Sequence, residues 1–302
     1  MRSYLDAMDQ ETALPGWGQR YTQFGRGRFQ GSMTMVDFGS VAVGEERINV
    51  AVAQETAPPA GKVVLVVPLE NELDCLINGE RYAPIGFIHQ GGNEINIMTE
   101  GATRGYYVMV DEALLPAYDR QKIGPIASVA NHASAVELRA WLGSVLATTP
   151  DAVRSAPGEL EKVLPGMIVD KVSELCDAVA SDNSRAPLRQ SYAYSVFLRA
   201  RKRLDADTDN ALSVGELAAE LDVPDHVLRS AFAQTTGQST TVWLRQRRLD
   251  RAHRALSSRS SATKSVAQIA MAHGFFHLGR FAAYYAETFH ETPLETIRNA
   301  ML

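Results

Sequence analysis

The strongest constraint on this chain is an imperfect internal repeat near its end. Residues 213–237 begin Ser213-Val-Gly-Glu-Leu-Ala and run through Val223, Leu228 and Phe232 to Gly237. Residues 265–290 begin Ser265-Val-Ala-Gln-Ile-Ala and run through Phe275, Phe281 and Tyr285 to His290. The offset is 52 positions at the start and 53 from Leu228/Phe281 onward, so one residue is inserted at the central turn. Each copy opens with a capping box, Ser213-x-x-Glu216 and Ser265-x-x-Gln268, and Thr292-Pro293-x-Glu295 supplies a third with proline at the first helical position. Leu217/Ile269 and Ala218/Ala270 follow in each copy, the small alanine allowing a second helix to cross closely. Gly274 supplies the tight turn in the second copy, and Asp222 stands there in the first.

The rest of the chain reads as a different kind of structure. The 302 residues suffice for two domains, and 45% apolar with 22% charged content is ordinary for a soluble globular protein. No apolar run is long enough to span a bilayer and the N-terminus lacks a secretory pattern, so a cytoplasmic protein is expected. Cys75 and Cys176 are far apart in apolar settings and read as buried thiols rather than a disulfide or a zinc site. Short β-rich runs at 33–38, 48–53, 63–68, 72–77, 87–89, 94–98 and 106–110 are separated by turn signals, with 1–20 expected to be irregular. Asn78-Gly79 predicts a hairpin.

Helical periodicity takes over in 131–148, through Ala135, Leu138, Trp141, Leu142, Val145 and Leu146. It recurs in 159–180 through Leu160, Val163, Leu164, Met167, Val172, Leu175 and Val179. These two helices either pack on the strands or meet another subunit. The expected organisation is α+β with two domains: 1–182 (β-rich 28–110, helical 131–180), a polar linker at 183–188, and an all-α region at 189–302. That last region should hold seven helices, including one at 189–204 and a long one at 241–256.

Charge divides along the same boundary. Residues 1–188 carry 15 Lys+Arg against 24 Asp+Glu, and residues 189–302 carry 15 against 11. The repeat-bearing end is therefore basic although the whole chain is at −5. Two adjacent helix-turn-helix units with a basic excess suit a repeating polyanion, double-stranded DNA, whose major groove admits one helix.

Residues 211–302 resemble the DNA-binding domain of the AraC/XylS family of bacterial transcription regulators. The resemblance is carried by Leu217-Ala-x-x-Leu-x-Val, Leu228-x-x-Ala-Phe232, Gly237, Trp243-Leu-Arg and Arg248-Leu. Its most specific run is Ile269-Ala-x-x-x-Gly274-Phe275-x-His277-x-Gly279-Arg280-Phe281, continuing through Tyr285 and Phe289 to Pro293. Within the family, Phe-x-His-Leu-Gly-Arg-Phe and Ala135-Val-Glu-Leu-Arg-Ala-Trp141 are most similar to the ethanolamine-utilisation regulators. The resemblance implies two recognition helices in successive major grooves, spaced by the long helix. It implies base-edge readers at His226, Arg229, Ser230 and Gln234 in the first unit, and His277, Arg280 and Ala283 in the second. Arg229 and Arg280 are the foremost of these, because guanidinium pairs bidentately with guanine. Ser230 and Ala283 stand where many members carry arginine, which points to an atypical site. Arg245, Arg248 and Lys264 are candidate phosphate contacts.

The same resemblance implies a cupin-like antiparallel β-barrel that binds a small-molecule effector, followed by helices that dimerise, with RNA polymerase and a second copy as further partners and an activator's role. Candidate effector contacts are Arg81, Tyr82, His89, Asn93, Glu94, Asn96 and Tyr106. In a strand, about half of such residues face solvent. A catalytic cupin needs several histidines and a carboxylate around a metal, and the strand region offers only His89. No nucleophile elbow, phosphate loop or paired-cysteine motif is present, so no enzyme, metal or cofactor is expected. The alternative is a regulator independent of ligand, controlled by a protein partner or by its abundance.

Overall fold

The computed structural model describes residues 1–69, 75–82, 86–116, 118–129, 132–155, 158–182, 191–207, 212–258 and 265–300. The chain begins with β1 (Arg2–Tyr4), α1 (Ala7–Gln10) and β2 (Gly18–Gln23), so the opening segment expected to be irregular is largely ordered. There follow β3 (Gly31–Asp37), β4 (Val41–Ile48), β5 (Val52–Ala57), β6 (Lys62–Pro68), β7 (Cys75–Ile77), β8 (Glu80–Tyr82), β9 (Phe87–Gln90), β10 (Ile95–Thr99) and β11 (Thr103–Asp111). A short α2 (Arg120–Ile123) and β12 (Ile126–Ser128) complete this part. Every pairing is antiparallel. The strands form a seven-stranded sheet, β1-β3-β4-β11-β6-β9-β12, and a five-stranded sheet, β2-β5-β10-β7-β8, and among the described residues no ladder closes them into a barrel. The Asn78-Gly79 hairpin is as expected: both residues have positive φ, 53° and 83°, and Cys75 pairs with Tyr82.

Strand alternation gives the large sheet two different faces. Val41, Val43, Val63, Leu65, Tyr106, Val108 and Val110 point outward, where α3 (Ala133–Ser155) and α4 (Glu159–Ser181) cover them. Leu138, Leu142, Ile168, Val172 and Leu175, each at most 2% exposed, complete that core. At ~1.5–3 kcal/mol per fully buried aliphatic side chain, this is a major stabilising layer. The α4 face differs from the sequence expectation. Val163 and Met167 are 57% and 44% exposed, while Leu164 and Ile168 face the sheet. Cys75 and Cys176 are both buried and neither is in a disulfide.

The helical part holds seven helices among the described residues: α5 (Tyr192–Ala206), α6 (Val214–Glu220), α7 (Asp225–Thr236), α8 (Thr240–Ser257), α9 (Val266–Ala272), α10 (Leu278–Phe289) and α11 (Pro293–Ala300). The linker expected at 183–188 lies outside the described residues. Two cores share the long α8. Phe197, Leu217, Leu228, Phe232 and Trp243 fill the first, and Leu249, Leu256, Ile269, Phe281 and Tyr285 fill the second. Phe197, Phe232 and Trp243 meet edge-on at centroid distances of 5.1–5.6 Å, a favourable aromatic geometry.

A polar seam joins this bundle to the strands. On α8, His253 Nε2 lies 2.5 Å from Asp6 Oδ2, and Arg254 donates to Glu11 and to the Tyr21 carbonyl, 2.9 Å away. Gln246 Nε2 donates to the Gln23 carbonyl at 3.2 Å. Gln23 Nε2 in turn donates to the Thr288 carbonyl at 2.7 Å. Arg201 of α5 holds Glu94 and the Asn96 amide oxygen, and Asn96 Nδ2 donates to Tyr194 Oη at 2.8 Å. Burial works against the Arg254 charge, but hydrogen bonds and charges from Glu11 and Asp250 outweigh it and keep the guanidinium ionised. Among the described residues, no helix is long and apolar enough to cross a membrane.

Candidate nucleic-acid interface

The repeat folds as two helix-turn-helix units with matching local chemistry. Ser213 accepts from the Glu216 amide while Glu216 accepts from the Ser213 amide, and Ser265 and Gln268 do the same. The third box is also formed, with Thr292 N–H donating to Glu295 at 2.7 Å. The inserted residue falls in the turn. Asp222 and Gly274 both take left-handed backbone there, with φ of 52° and 77°. Asp tolerates that region better than most side chains, so glycine and aspartate occupy one turn conformation in the two copies. Both second helices also end alike, at Gly237 (φ 67°) and His290 (φ 53°).

Each second helix buries one face and leaves the other open. On α7, Leu228, Ala231 and Phe232 point inward, while His226, Arg229, Ser230, Ala233 and Gln234 are exposed. Arg229 Nε donates to Asp225 at 2.6 Å, and Gln234 Nε2 donates to Ser230 Oγ at 2.7 Å. On α10, Phe281 and Tyr285 point inward, while Arg280 and Ala283 are exposed, as is His277 at the helix start. Arg280 has no ion-pair or hydrogen-bond partner among the described residues, so its guanidinium is available. All seven expected base-edge readers therefore lie on the two open faces.

The phosphate candidates fall differently. Arg245 stacks over the Tyr284 ring at 4.5 Å, and Arg248 Nη2 donates to the Leu212 carbonyl at 2.8 Å. Burial lowers the pKa of Arg248 below the usual guanidinium range, opposed by the Asp207 charge. Arg251 caps the Leu204 and Asp207 carbonyls, closing the C-terminal end of α5. The arginines of α8 thus act first as internal ties, and a phosphate contact by Arg245 or Arg248 would come in addition. Lys264 lies outside the described residues.

The effector candidates divide among three places. His89 lines a cavity of about 90 Å³ between the two sheets. Its Nε2 lies 2.8 Å from the Asn93 carbonyl, so the neutral ring donates there. Burial pushes its pKa down to about 4 despite that bond. Tyr106 borders the cavity, but its strand position turns the ring outward among the α3 and α4 core residues. Glu94 and Asn96 belong to the seam with Arg201, and Asn93 Nδ2 donates to the Gln90 carbonyl. Arg81 pairs with Glu100 at the surface at 3.0 Å, and Tyr82 lies on the edge strand β8. Among the described residues, no group of three His, Cys, Asp or Glu side chains is placed to hold a metal ion.

Residues that the sequence reading passed over define the cavity instead. Glu46, Gln54, Thr56 and Tyr107 line it, with Trp17 and Gln19 from the opening segment. Glu46 Oε1 accepts from Gln10 at 2.7 Å and from Tyr21 Oη at 2.8 Å, and Gln54 Nε2 donates to the same Tyr21 oxygen at 2.9 Å. Burial raises the Glu46 pKa, and these two donors only partly offset it. Two consecutive glutamates in a strand were the available signal, since alternation must turn one of them inward.

Comparison with known proteins places residues 217–299 in a family described as a helix-turn-helix domain. A XylDLEGF operon transcriptional activator 2 of Pseudomonas putida is 30% identical over 101 residues, covering 33% of this chain and 64% of that protein. A second Pseudomonas putida relative, XylDLEGF operon transcriptional activator 3, is 28% identical over 139 residues, covering 46% and 40%. An AraC-type DNA-binding domain structure from Chromobacterium violaceum is 27% identical with a TM-score of 0.32, covering 35% of this chain and 92% of that one. The chain thus matches less than two thirds of the length of these two activators. Over residues 217–299 it carries a helix-turn-helix domain, similar in sequence to part of these activators.

Proposed function

We propose that this protein is a transcriptional regulator that reads two adjacent segments of double-stranded DNA through α7 and α10, and that a small molecule bound between its two sheets adjusts that reading. The observation that carries the first half is the pair of matched units whose open faces hold His226, Arg229, Ser230 and Gln234 on one helix and His277, Arg280 and Ala283 on the other. Arg280, exposed and without an internal partner among the described residues, is the residue best placed for bidentate contact with guanine. The similarity to transcriptional activators of an operon supports an activator's role, which would require contact with RNA polymerase. The cavity supports the second half. It lies between both sheets and one hydrogen-bond layer from α1, whose flanking residues Asp6 and Glu11 contact α8. Exposed Val136, Val163 and Met167 on α3 and α4 offer an apolar surface to a second copy, and light scattering on the purified chain reads its oligomeric state.

Binding to promoter fragments selected from genomic DNA tests the reading. Arg280→Ala should weaken specific binding by ~1–3 kcal/mol and relax the preference at one base pair. Unchanged affinity and unchanged preference would remove α10 from the interface.

A further inference from the structure

The inter-sheet cavity has an unusual charge balance. Its walls include the apolar Leu14, Val64, Val66 and Ile95 and the aromatic Trp17 and Phe87. One carboxylate, Glu46, lines it, and no lysine or arginine does among the described residues. The imidazole of His89 is held neutral by burial. Both hydrogen bonds to Glu46 come from neutral donors, Gln10 and Tyr21, and both reach the same oxygen, Oε1. Oε2 receives no hydrogen bond among the described residues. Four lining groups carry buried polar atoms with no partner among the described residues: Trp17 Nε1, Gln19 Oε1, Thr56 Oγ1 and Tyr107 Oη. Buried polar atoms are rarely left unmatched, because an unpaired one bears its full desolvation cost.

We propose that this cavity is a site for a small organic cation, a protonated amine on an apolar body, with the Glu46 carboxylate as its counter-ion. The inference rests on the reading of the cavity as an effector site and assigns the chemistry of what enters it. A carboxylate ligand would meet Glu46 as a like charge with no cation to offset it. An ammonium group meets Oε2 as an acceptor and the Gln19 amide oxygen as another. The rings of Trp17 and Phe87 in its lining add the capacity for cation–π attraction. The volume of about 90 Å³ is room for several waters or one small molecule, since a single water needs roughly 10–15 Å³ on this measure. Binding also restores a partner to an ionised Glu46, whose charge is otherwise opposed by its burial.

Isothermal titration of the full chain with three near-isosteric probes tests this: 2-phenylethylamine, 3-phenylpropionate and 2-phenylethanol. The amine should bind at least tenfold more tightly than the other two. Glu46→Gln should lose at least tenfold for the amine and nothing for the alcohol, with an unfolding midpoint that reports an intact fold. Trp17→Leu leaves the hydrogen bonds of Glu46 in place and should weaken the amine more than the alcohol. An acid or alcohol that binds as tightly as the amine overturns the charge assignment while leaving an effector site standing. Amine affinity indifferent to Glu46→Gln overturns it too. If none of the three binds, the cation site falls, and DNA recognition is judged separately by Arg280→Ala.

Discussion

His89 is held where a charge is hardest to accommodate, 1% exposed and with a single carbonyl partner from Asn93. Its pKa is about 4 in the fold against ~6.5 in an unfolded chain. As pH falls below that unfolded value, the unfolded state takes up the proton first, so stability is complete above it and declines toward the folded value. Urea unfolding at pH 7 and pH 5 should show the wild type losing roughly 2 kcal/mol that His89→Gln does not lose. Equal losses in both chains would mean that His89 is protonated in the fold. The same residue shows what a sequence conveys and what it does not. Its place in the strand region made it a candidate contact, and the Asn93 carbonyl gives it a hydrogen bond. That it also lines a cavity depends on a second sheet, which no local pattern reveals.

Helix signals were the most legible elements because they are local. The three capping boxes, the turn at Asp222 and Gly274, and the seven helices of the C-terminal part follow from spacing alone. Ser265→Ala should therefore cost about 1 kcal/mol in chemical denaturation, and no change would deny the cap its role. Strand β4 was missed because Val41-Ala-Val-Gly is apolar on both faces and is followed by Glu45-Glu46-Arg47, which reads as a loop. Its outer face supports α3 and α4, and its inner face delivers Glu46 to the cavity. The arginines of α8 were legible as a basic helix, but not their partners. Arg254 meets Glu11, 243 positions away in sequence, together with Asp250 one turn back. Arg254→Ala removes the cation shared by Glu11 and Asp250 at a largely buried seam and should cost about 2–3 kcal/mol. Hydrogen exchange should show the loss concentrated in α1 and β2, where the Tyr21 amide bonds Glu11 at 2.7 Å. A loss confined to α9 and α10 would contradict the seam as described.

At the scale of the whole molecule, charge and contact have separate tasks. The acidic strand part supplies Asp6, Glu11 and Glu94 to the seam, matching His253, Arg254 and Arg201 of the basic helical part. What remains open on the helical part is the pair of reading faces. Affinity for DNA should fall as salt rises, since each phosphate neutralised releases counterions. α1 touches both the cavity, through Gln10 to Glu46, and α8, through Asp6 and Glu11, so occupancy and docking share one short element. The repeat is legible in the sequence, while the seam between distant residues appears only in the fold.

If both units contact DNA at once, a hydroxyl-radical and guanine-protection footprint on a bound promoter shows it. Two protected segments should lie on one face of the duplex, about one helical turn apart. Arg280→Ala should erase guanine protection in one segment and leave the other. A single protected segment, or a footprint indifferent to Arg280→Ala, would contradict the account.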